Sequence, residues 1–322
     1  MRPVDTTIVI VSYNSRELTL RAVAAAREAA VGLDAVIVVA DNGSDDGTPE
    51  AVRSVFPGLA VAVYPDNPGY GTALNRAFAA FPAGFLCALN ADVLLGAGSL
   101  PLLRQFLDQH PEIGLVGPAL MDIRGQPQAS CKRFPTLGFA LAEMSALHAL
   151  FPRNSWVQGF YYAGQDLSRP VEVETISGST MLIRAEAFQR IGGFDQGFRM
   201  YFEETDLCRR LRDAGHGVAF CPQATAVHWH GASTLQTSVR QVEYYLSYVR
   251  YFRKHHGSGP ALVLAAAVAV STVLRLLALL FKYPPLSRRS RTILRPKLSA
   301  CWRLLGDLFR PAIRRTVREV RQ

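Results

Sequence analysis

The sequence predicts an α/β fold in which a mostly parallel central sheet carries helices on both faces. Apolar, β-branched runs alternate with segments of helical periodicity over the first 120 residues, and the connections between them are short. The chain has 322 residues, of which 49% are hydrophobic and 19% are charged. This composition excludes a largely disordered or collagen-like chain and supplies ample material for a core.

The first half of the sheet is predicted from four short apolar runs that read as buried strands. These strands are residues 7–13, 35–40, 60–64 and 85–89. The segments between them have helical spacing, and the predicted helices cover residues 16–31, a stretch beginning at Pro49, and residues 71–81. Each strand is thus followed by a crossover helix, as parallel pairing requires.

The second half is predicted to be less regular at first and ordered again later. Residues 121–175 are rich in aromatic side chains and read as an insert that contacts an acceptor. The elements predicted after it are a strand pair over 171–184, a helix from Ala185, a helix over 203–214, a short strand over 217–222, a helix over 242–256 and an apolar segment over 261–281. Gly215 is predicted to end the helix over 203–214.

The net charge of +9 is concentrated at one end of the chain. Residues 282–322 hold twelve Lys and Arg but only Asp307 and Glu319, a net of +10, and the preceding 281 residues have a net charge of −1. A basic tail suits either nucleic acid or an anionic membrane surface. The five cysteines are widely spaced without a CxxC pair, and the N-terminus lacks a signal-like apolar stretch, which favours a cytosolic, reducing environment.

Polar residues follow the predicted strands, at the edge where parallel sheets bind ligands. They are Asn14, Asp41, Asn67 and Asp92. The phosphate-binding pattern GxxxxGK[ST] is absent, and the first strand is followed by SYNSRE rather than by GxGxxG. The sequence therefore argues against a P-loop and against a dinucleotide fingerprint.

Two groups of acidic residues allow either a chemical or a structural interpretation. The turn DNGSDDGT and Asn90-Ala91-Asp92 could bind a ribose or a cation that bridges a diphosphate, or could simply form solvated turns with a helix cap. Glu203, Glu204 and Asp206 crowd the first turn of a predicted helix, where they could cap the helix or supply a general base. Arg210 stands four residues after Asp206 and could pair with it.

The segment His228-Trp229-His230 follows the predicted strand over 217–222. A neutral imidazole is a ligand for divalent metals, so one of these histidines could complete a cation site. The alternative is one core and one surface histidine in a strand.

Seven of these segments, taken in order, resemble family 2 glycosyltransferases, and most closely the rhamnosyltransferase-like branch that builds bacterial cell-surface polysaccharides. The segments are IVIVSYNS, VVADNGSDDGT, NPGYGTALNRA, LNADV, ISGSTMLIRAEAFQRIGGFD, YFEETDLCRRLRDAG and VHWHGAST. The resemblance covers residues 6–256. It implies a GT-A fold, a nucleotide-sugar donor, a divalent cation (Mn²⁺ or Mg²⁺) and inversion at the anomeric carbon.

The resemblance also implies roles for individual residues. Ser12, Tyr13 and Asp41 would line the base and ribose, joined at the strand ends by Asn14, while Asn67 and Asn75 would shape the donor pocket. Asn90-Ala91-Asp92 stands in place of the family's Asp-x-Asp, so Asp92 would be the metal ligand and His228 would complete the site. The family's Glu-Asp pair reads Glu203-Glu204, which makes Glu204 the expected base, with Glu203 or Asp206 as alternatives.

The chain is accordingly divided into a catalytic domain over 1–256 and an attachment region over 257–322. The catalytic domain has a nucleotide-sugar-binding half, 1–120, and an acceptor half, 121–256. Residues 261–281 are long enough to span a bilayer, but Arg275 lies near their middle and both flanks are basic. An in-plane or re-entrant helix on the cytoplasmic face of the plasma membrane is favoured over a single span or a buried helix.

Residues 298–309 support attachment to an anionic surface. Leu298, Trp302, Leu305 and Phe309 share one helical face, with Arg303 and Arg310 elsewhere. The expected protein is therefore a peripheral or monotopic glycosyltransferase that moves rhamnose from dTDP-rhamnose to a lipid-linked or polysaccharide acceptor and does not bind nucleic acid. The alternative is a degenerate nucleotide-sugar-binding or scaffold protein of the same fold.

Overall fold

The computed structural model describes residues 4–144, 154–229, 237–282 and 297–308, and the chain divides into two compact units. The first unit comprises Met1–Phe134, Gln158–Arg199 and Glu203–Thr234, and the second comprises Pro135–Val157, Met200–Phe202 and Leu235–Gln322. The helix predicted over 242–256 belongs to the second unit.

The strands of the first unit begin and end close to the positions predicted from the apolar runs. In chain order they are β1 (Thr6–Ser12), β2 (Ala35–Asp41), β3 (Ala60–Val63), β4 (Phe85–Asn90), β5 (Val93–Leu95), β6 (Ile113–Met121), β7 (Pro127–Gln128), β8 (Cys131–Lys132), β9 (Val171–Glu172), β10 (Thr175–Ile176), β11 (Thr180–Arg184) and β12 (Gly217–His228).

The helices also follow the predicted order. They are α1 (Arg16–Ala29), α2 (Thr48–Val55), α3 (Tyr70–Ala80), α4 (Ser99–Gln109), α5 (Leu137–Met144), α6 (Ser155–Phe160), α7 (Ala185–Arg190), α8 (Glu203–Asp213), α9 (Thr237–His255), α10 (Ser258–Lys282) and α11 (297–308). Gly215 has a left-handed φ of 86° two residues after α8, as its predicted role as a helix stop requires.

The main sheet has the order β3-β2-β1-β4-β11-β6-β12-β5, with β7 paired to β6 and β9 paired to β12. The first four strands of that order are mutually parallel, and β12 is parallel to β6. Antiparallel pairing enters where β11 lies between β4 and β6 and where β5 pairs with β12. The prediction of a mostly parallel sheet is therefore confirmed, and the short pair β8–β10 forms a separate sheet.

Successive side chains of β1 enter two different cores, because strand side chains alternate between the faces of a sheet. Ile8 and Ile10 are fully buried in one apolar cluster with helices α1 and α4, whereas Val9 and Val11 belong to another cluster with helices α3, α7 and α8. Both faces of the sheet are therefore covered. This burial on both sides explains why the strands read as continuous apolar runs.

Strand β12 is longer than the six residues predicted. The Pro222-Gln223 dipeptide reads as the end of the strand, but the structure places an irregularity in the register between Cys221 and Thr225, after which pairing with β6 resumes. Bulges of this kind absorb a proline without ending a strand. His228 is consequently the last residue of β12 rather than a residue in the loop after it.

The second unit is helical, and α5 and α9 contribute contacts to α10. Ser271 Oγ donates to the Met144 carbonyl oxygen over 3.0 Å, and the Arg275 guanidinium donates to the Tyr245 hydroxyl. The aromatic residues of α9 pack on Met200–Phe202, where the rings of Phe202 and Tyr248 stack with centroids 4.4 Å apart. The predicted helix over 242–256 is confirmed.

Helix α10 has a buried face and an exposed face that is apolar between Leu262 and Phe281. Ala261, Leu264, Ala265, Val268 and Thr272 recur at helical spacing and are buried. Every exposed position from Leu262 to Phe281 is apolar, and the large side chains among them include Leu262, Val263, Val270, Val273, Leu274, Leu277 and Phe281. By length and composition, α10 is the one helix among the described residues that could cross a membrane.

Helix α11 coincides with the predicted amphipathic segment, but its buried face differs from the prediction. Leu304 and Leu308 are buried, whereas Trp302 is 70% exposed and Leu298 and Leu305 are half-buried. Arg303 Nη2 donates to Glu243 Oε1 of α9 over 2.9 Å. Phe309 and Arg310, like His230, lie outside the described residues.

Candidate active site

The carboxyl ends of the central parallel strands bring three of the predicted polar residues together. In the sheet register, Ser12 lies opposite Asp41 and Val11 lies opposite Asn90. The edge predicted from strand order alone therefore exists, and it is formed by the ends of β1, β2 and β4.

Asp41 is fully buried, and both of its carboxylate oxygens accept hydrogen bonds from the surrounding loop. Asp41 Oδ2 accepts from Ser12 Oγ at 2.7 Å and from Ser44 Oγ at 2.6 Å, and Oδ1 accepts from the backbone N–H groups of Gly43 and Ser44. The DNGSDDGT segment is thus an ordered loop tied to the end of β1, and Asp41 contributes first of all to its shape.

Asn14 connects the ends of β1 and β2. It has a left-handed φ of 46°, its backbone N–H donates to Ser44 Oγ at 2.8 Å, and its Oδ1 accepts from the Asp45 N–H at 2.8 Å. Asparagine tolerates this backbone conformation better than most residues. Tyr13, beside it, is half-buried.

Asn67 and Asn75 have different structural roles, although the resemblance assigns both to the donor pocket. Asn67 has a left-handed φ of 42° in the loop after β3. Both ends of the Asn75 amide bind Phe194, since Nδ2 donates to its carbonyl oxygen at 2.8 Å and Oδ1 accepts from its N–H at 2.9 Å. Asn75 therefore orders the loop that contains Phe194.

Asp92 and His228 lie together beyond the ends of β4 and β12. His228 Nε2 is 3.7 Å from Asp92 Oδ1, and both side chains are largely shielded, at 13% and 14% exposure. Their positions are fixed by backbone pairing, because His228 lies opposite Val93 in the β12–β5 ladder and the Trp229 N–H donates to the Asp92 carbonyl oxygen. The structure thus brings together two residues that lie 136 positions apart in the chain and that the family resemblance implied for one site.

The two side chains are suited to a divalent cation. Donor atoms that each lie about 2.1 Å from one cation are at most about 4.2 Å apart, so a separation of 3.7 Å is compatible with shared coordination. Gln128 Oε1 lies 3.0 Å from His228 Nδ1, an interaction that orients the ring. Among the described residues, no group of three or more His, Cys, Asp and Glu side chains forms a metal cluster. Substrate phosphates commonly supply the remaining ligands in such sites.

The three carboxylates of α8 are all buried, but their surroundings differ. Asp206 Oδ2 accepts from Arg210 Nε at 2.7 Å, which confirms the predicted pair, and Arg210 Nη1 also donates to the carbonyl oxygens of Ile191 and Gly193. Glu204 Oε1 is 3.7 Å from Lys132 Nζ and accepts from Thr205 Oγ1 at 3.0 Å. Glu203 Oε2 is buried without a hydrogen bond to any residue that the structure describes.

The surroundings of Glu203 favour its neutral form. Burial, and secondly repulsion from Glu204, raise the pKa of Glu203 to about 8. Burial also raises the pKa of the nearby Tyr70 phenol well above its usual value, with smaller contributions from the carboxylates of Glu203, Glu204 and Asp92. The surroundings of Glu203 and Tyr70 thus favour the protonated form of both side chains.

The ISGST segment links Glu204 to the turn that holds Asp92. A Cβ on Gly178 would lie 3.1 Å from the Glu204 Cβ, so the lack of a side chain at position 178 leaves room for the Glu204 side chain. The Gly178 carbonyl oxygen accepts from the Tyr70 hydroxyl at 2.7 Å, and the next carbonyl, that of Ser179, accepts from the Asn90 N–H at 2.9 Å. Two consecutive peptide groups thus connect the acidic helix with the end of β4.

Sequence reasoning did not identify four residues that shape this site. Tyr70 and Gly178 stand within motifs that the resemblance includes, so their positions were available but their contacts were not. Gln128 and Lys132 lie in two-residue strands within the segment predicted to be irregular. No periodicity marks such short strands, and only the tertiary structure shows which side chains they present.

Comparison with known proteins shows which family this chain matches. A model of the family described as Glycosyltransferase like family 2 matches residues 3–243. The chain is 35% identical over 211 residues to an N-acetylglucosaminyl-diphospho-decaprenol L-rhamnosyltransferase of Mycobacterium tuberculosis (strain H37Rv), an alignment that covers 62% of this chain and 67% of that protein. It is 46% identical over 57 residues to rhamnosyltransferase WbbL of Escherichia coli (strain K12), covering 18% of this chain and 22% of that protein.

The fold also matches solved structures. The chain is similar to mannosyltransferase PcManGT from Pyrobaculum calidifontis, solved in complex with GDP-Man and Mn²⁺, with a TM-score of 0.54 and 18% sequence identity over 97% of this chain and 87% of that chain. At this level of identity the likeness concerns the fold, and it confirms the GT-A architecture that the sequence motifs imply.

Proposed function

The chain belongs to the glycosyltransferase-like family 2, and on that premise we propose that it transfers rhamnose from dTDP-rhamnose to a lipid-linked saccharide with inversion at the anomeric carbon. The observation that carries the reaction type is the pairing of Asp92 and His228 at the strand edge that also holds Ser12, Asp41 and Asn90. The 35% identity to an L-rhamnosyltransferase that acts on a decaprenol-linked sugar supports the choice of sugar and acceptor class.

The donor is proposed to bind along the carboxyl ends of the parallel strands. Tyr13 and Asn14 lie after β1, and the ordered loop around Asp41 lies after β2. Asn90 follows β4, and Asn67 lies after β3. Ligands of open parallel sheets bind at this edge because the loops diverge there.

Asp92 and His228 are the residues that would hold a divalent cation, Mn²⁺ or Mg²⁺. When bound, the cation would neutralise the charge that develops on the departing nucleoside diphosphate. The carboxylate supplies a hard oxygen ligand and the imidazole supplies a nitrogen ligand. Coordination of this kind leaves room for the phosphate oxygens of the donor.

Glu204 is proposed as the general base. Asp206 is committed to Arg210, and Glu203 is kept neutral by burial, so neither is suited to accept a proton at neutral pH. Glu204 retains a small exposed fraction, and its Oε1 lies 3.7 Å from the Lys132 ammonium nitrogen.

The proposed transfer is a single in-line displacement. An acceptor hydroxyl oxygen attacks C1 of the sugar while Glu204 removes the hydroxyl proton. The bond from C1 to the phosphate oxygen breaks as the new C1–O bond forms, and the electron pair leaves with the nucleoside diphosphate. Inversion follows because attack and departure occur on opposite faces of C1.

Helix α10 supports attachment to the membrane as a monotopic helix. Its polar residues Ser271, Thr272 and Arg275 bond to groups within the second unit, whereas its exposed face is apolar. A helix that lay on the surface of a water-soluble protein would show the opposite arrangement. We place the protein on the cytoplasmic face of the plasma membrane, where nucleotide sugars and lipid-linked acceptors meet, with the basic tail on anionic lipid.

The proposal is tested by a thermal-shift screen of nucleotide sugars with Mn²⁺, followed by a transfer assay on a polyprenyl-diphosphate saccharide. Stabilisation by dTDP-rhamnose above other donors is expected, because a ligand that binds only the folded state raises its stability. Product with the opposite anomeric configuration to the donor is also expected. Binding without hydrolysis or transfer would instead support the alternative, a nucleotide-sugar-binding protein without catalysis.

A further inference from the structure

The Gln128 side chain binds a single residue, His228, at two points. Gln128 Nε2 donates to the His228 carbonyl oxygen at 3.0 Å, and Gln128 Oε1 lies 3.0 Å from His228 Nδ1. The Gln128 backbone is itself held, because it pairs with Leu120 of β6 and its carbonyl oxygen accepts from Ser130 Oγ. The Gln128 amide group is thus held in position by the pairing of its backbone with the sheet.

The chemistry of the two contacts determines where the imidazole proton lies. A backbone carbonyl oxygen only accepts hydrogen bonds, so the amide NH₂ of Gln128 must face it. The Gln128 oxygen then faces His228 Nδ1, and because that oxygen is also only an acceptor, Nδ1 must carry the hydrogen. In the neutral ring, Nε2 is left with its lone pair.

His228 Nε2 is also the ring nitrogen that lies near the Asp92 carboxylate. His228 Nε2 lies 3.7 Å from Asp92 Oδ1, and the β12–β5 ladder fixes the backbones of both residues. We propose that Gln128 is a positioning residue that selects the Nδ1–H tautomer of His228 and so presents Nε2 to the divalent cation. This inference rests on the cation site of the proposed function.

The tautomer is measured directly in the metal-free protein. Long-range ¹H–¹⁵N spectra of [¹⁵N]histidine-labelled protein at pH 8 distinguish the two tautomers, and His228→Asn identifies the signal among the seven histidines. The wild type should show Nδ1–H only. Gln128→Leu, which removes both contacts, should show a mixture of tautomers.

Metal affinity is the second readout. The dissociation constant of Mn²⁺ in the presence of dTDP, followed by electron paramagnetic resonance, should rise about 10–100-fold in Gln128→Leu, as is typical when the partner of a ligating histidine is removed. Gln126→Leu is the matched control, because Gln126 is exposed and only its backbone bonds to Asp122.

The two readouts separate failure of this inference from failure of the proposed function. A Gln128→Leu protein that keeps both the wild-type tautomer and the wild-type Mn²⁺ affinity overturns the positioning role. A wild type that binds no Mn²⁺ overturns the cation site, while the tautomer spectrum still decides whether Gln128 fixes the ring. A thermal melt of each variant confirms that the protein is folded.

Discussion

The Lys132 ammonium nitrogen lies 3.7 Å from Glu204 Oε1, while the preceding carboxyl group in the chain, that of Glu203, is buried without a hydrogen bond from Oε2 to any described residue. Adjacent carboxyl groups are thus given different environments. The Glu204 carboxyl group lies beside the Lys132 ammonium group, whereas burial is the main cause that raises the pKa of Glu203 to about 8. We therefore expect the two carboxyl groups to have different roles.

We expect Glu204→Gln to abolish the transfer and Glu203→Gln to leave it almost unchanged. Removing a general base typically costs about 10²–10⁴-fold in rate, whereas glutamine at position 203 reproduces the neutral carboxyl group. The measurement is kcat for transfer from dTDP-rhamnose at pH 7. The two variants are matched in chemistry and are neighbours in the chain. If Glu203→Gln were the inactive one, the base would have to be reassigned to Glu203.

The same substitution at position 203 should change how stability depends on pH. A carboxyl group whose pKa is raised on folding stabilises the protein at low pH and loses that contribution as the pH rises toward the folded value, here about 8. Glu203→Gln removes this loss, so the Tm of the variant relative to the wild type should increase between pH 5 and pH 8.

Differential scanning fluorimetry from pH 5 to pH 8 measures the difference in Tm between the variant and the wild type. A change of 1 kcal/mol in the free energy of unfolding corresponds to roughly 2–4 °C in Tm for a domain of this size. The control is Glu28→Gln, at an exposed position of α1, for which the difference in Tm should stay constant. A Tm difference for Glu203→Gln that is equally flat from pH 5 to pH 8 would mean that Glu203 is ionised throughout.

Helix α8 offers a matched comparison of a buried and an exposed ion pair. Asp206 is fully buried against Arg210, and Arg210 also holds the loop carbonyls of Ile191 and Gly193, whereas the Arg209–Asp213 pair lies at the surface. Asp206→Asn should lower the free energy of unfolding by about 3–5 kcal/mol, because the Arg210 charge stays buried without its partner. Asp213→Asn should cost at most about 1 kcal/mol.

Urea unfolding followed by circular dichroism measures both variants. Equal losses of stability for Asp206→Asn and Asp213→Asn would show that the buried pair contributes no more than an exposed one. Full stability together with lost transfer in Asp206→Asn would instead give Asp206 a part in the chemistry.

The sequence predicted the parts of the fold that follow from repeating patterns. Strands β1, β2 and β4 are buried on both faces, so their side chains form unbroken apolar runs, and the helices between them carry one apolar stripe each. The polar residues at the strand ends could be placed at one edge because parallel strands end together. The 3.7 Å approach of Asp92 and His228 agrees with the pairing that the family resemblance implied.

Features that depend on single tertiary contacts could not be predicted. Strand β12 continues past Pro222 only because a register shift in its pairing with β6 accommodates the proline. Gln128 and Lys132 lie in strands of two residues each, which are too short to show a periodic pattern in the sequence. The roles of Asn75 and Asp41 in ordering loops likewise appear only when their hydrogen-bond partners are known.

The apolar face of α10 leads to a prediction about the membrane. Leu277 and Phe281 are 59% and 90% exposed on that face, and placing a charge within a bilayer is costly. The double substitution Leu277→Glu and Phe281→Glu should therefore reduce flotation with liposomes of anionic lipid by at least about tenfold, which corresponds to only about 1.4 kcal/mol of membrane affinity.

Ile123→Glu is the matched control, because Ile123 is 64% exposed but lies in a turn of the first unit, outside the helix. It should float as the wild type does. Circular dichroism and donor hydrolysis establish that the double variant is folded, so unchanged flotation of a folded double variant would show that α10 adds nothing to attachment through the basic tail.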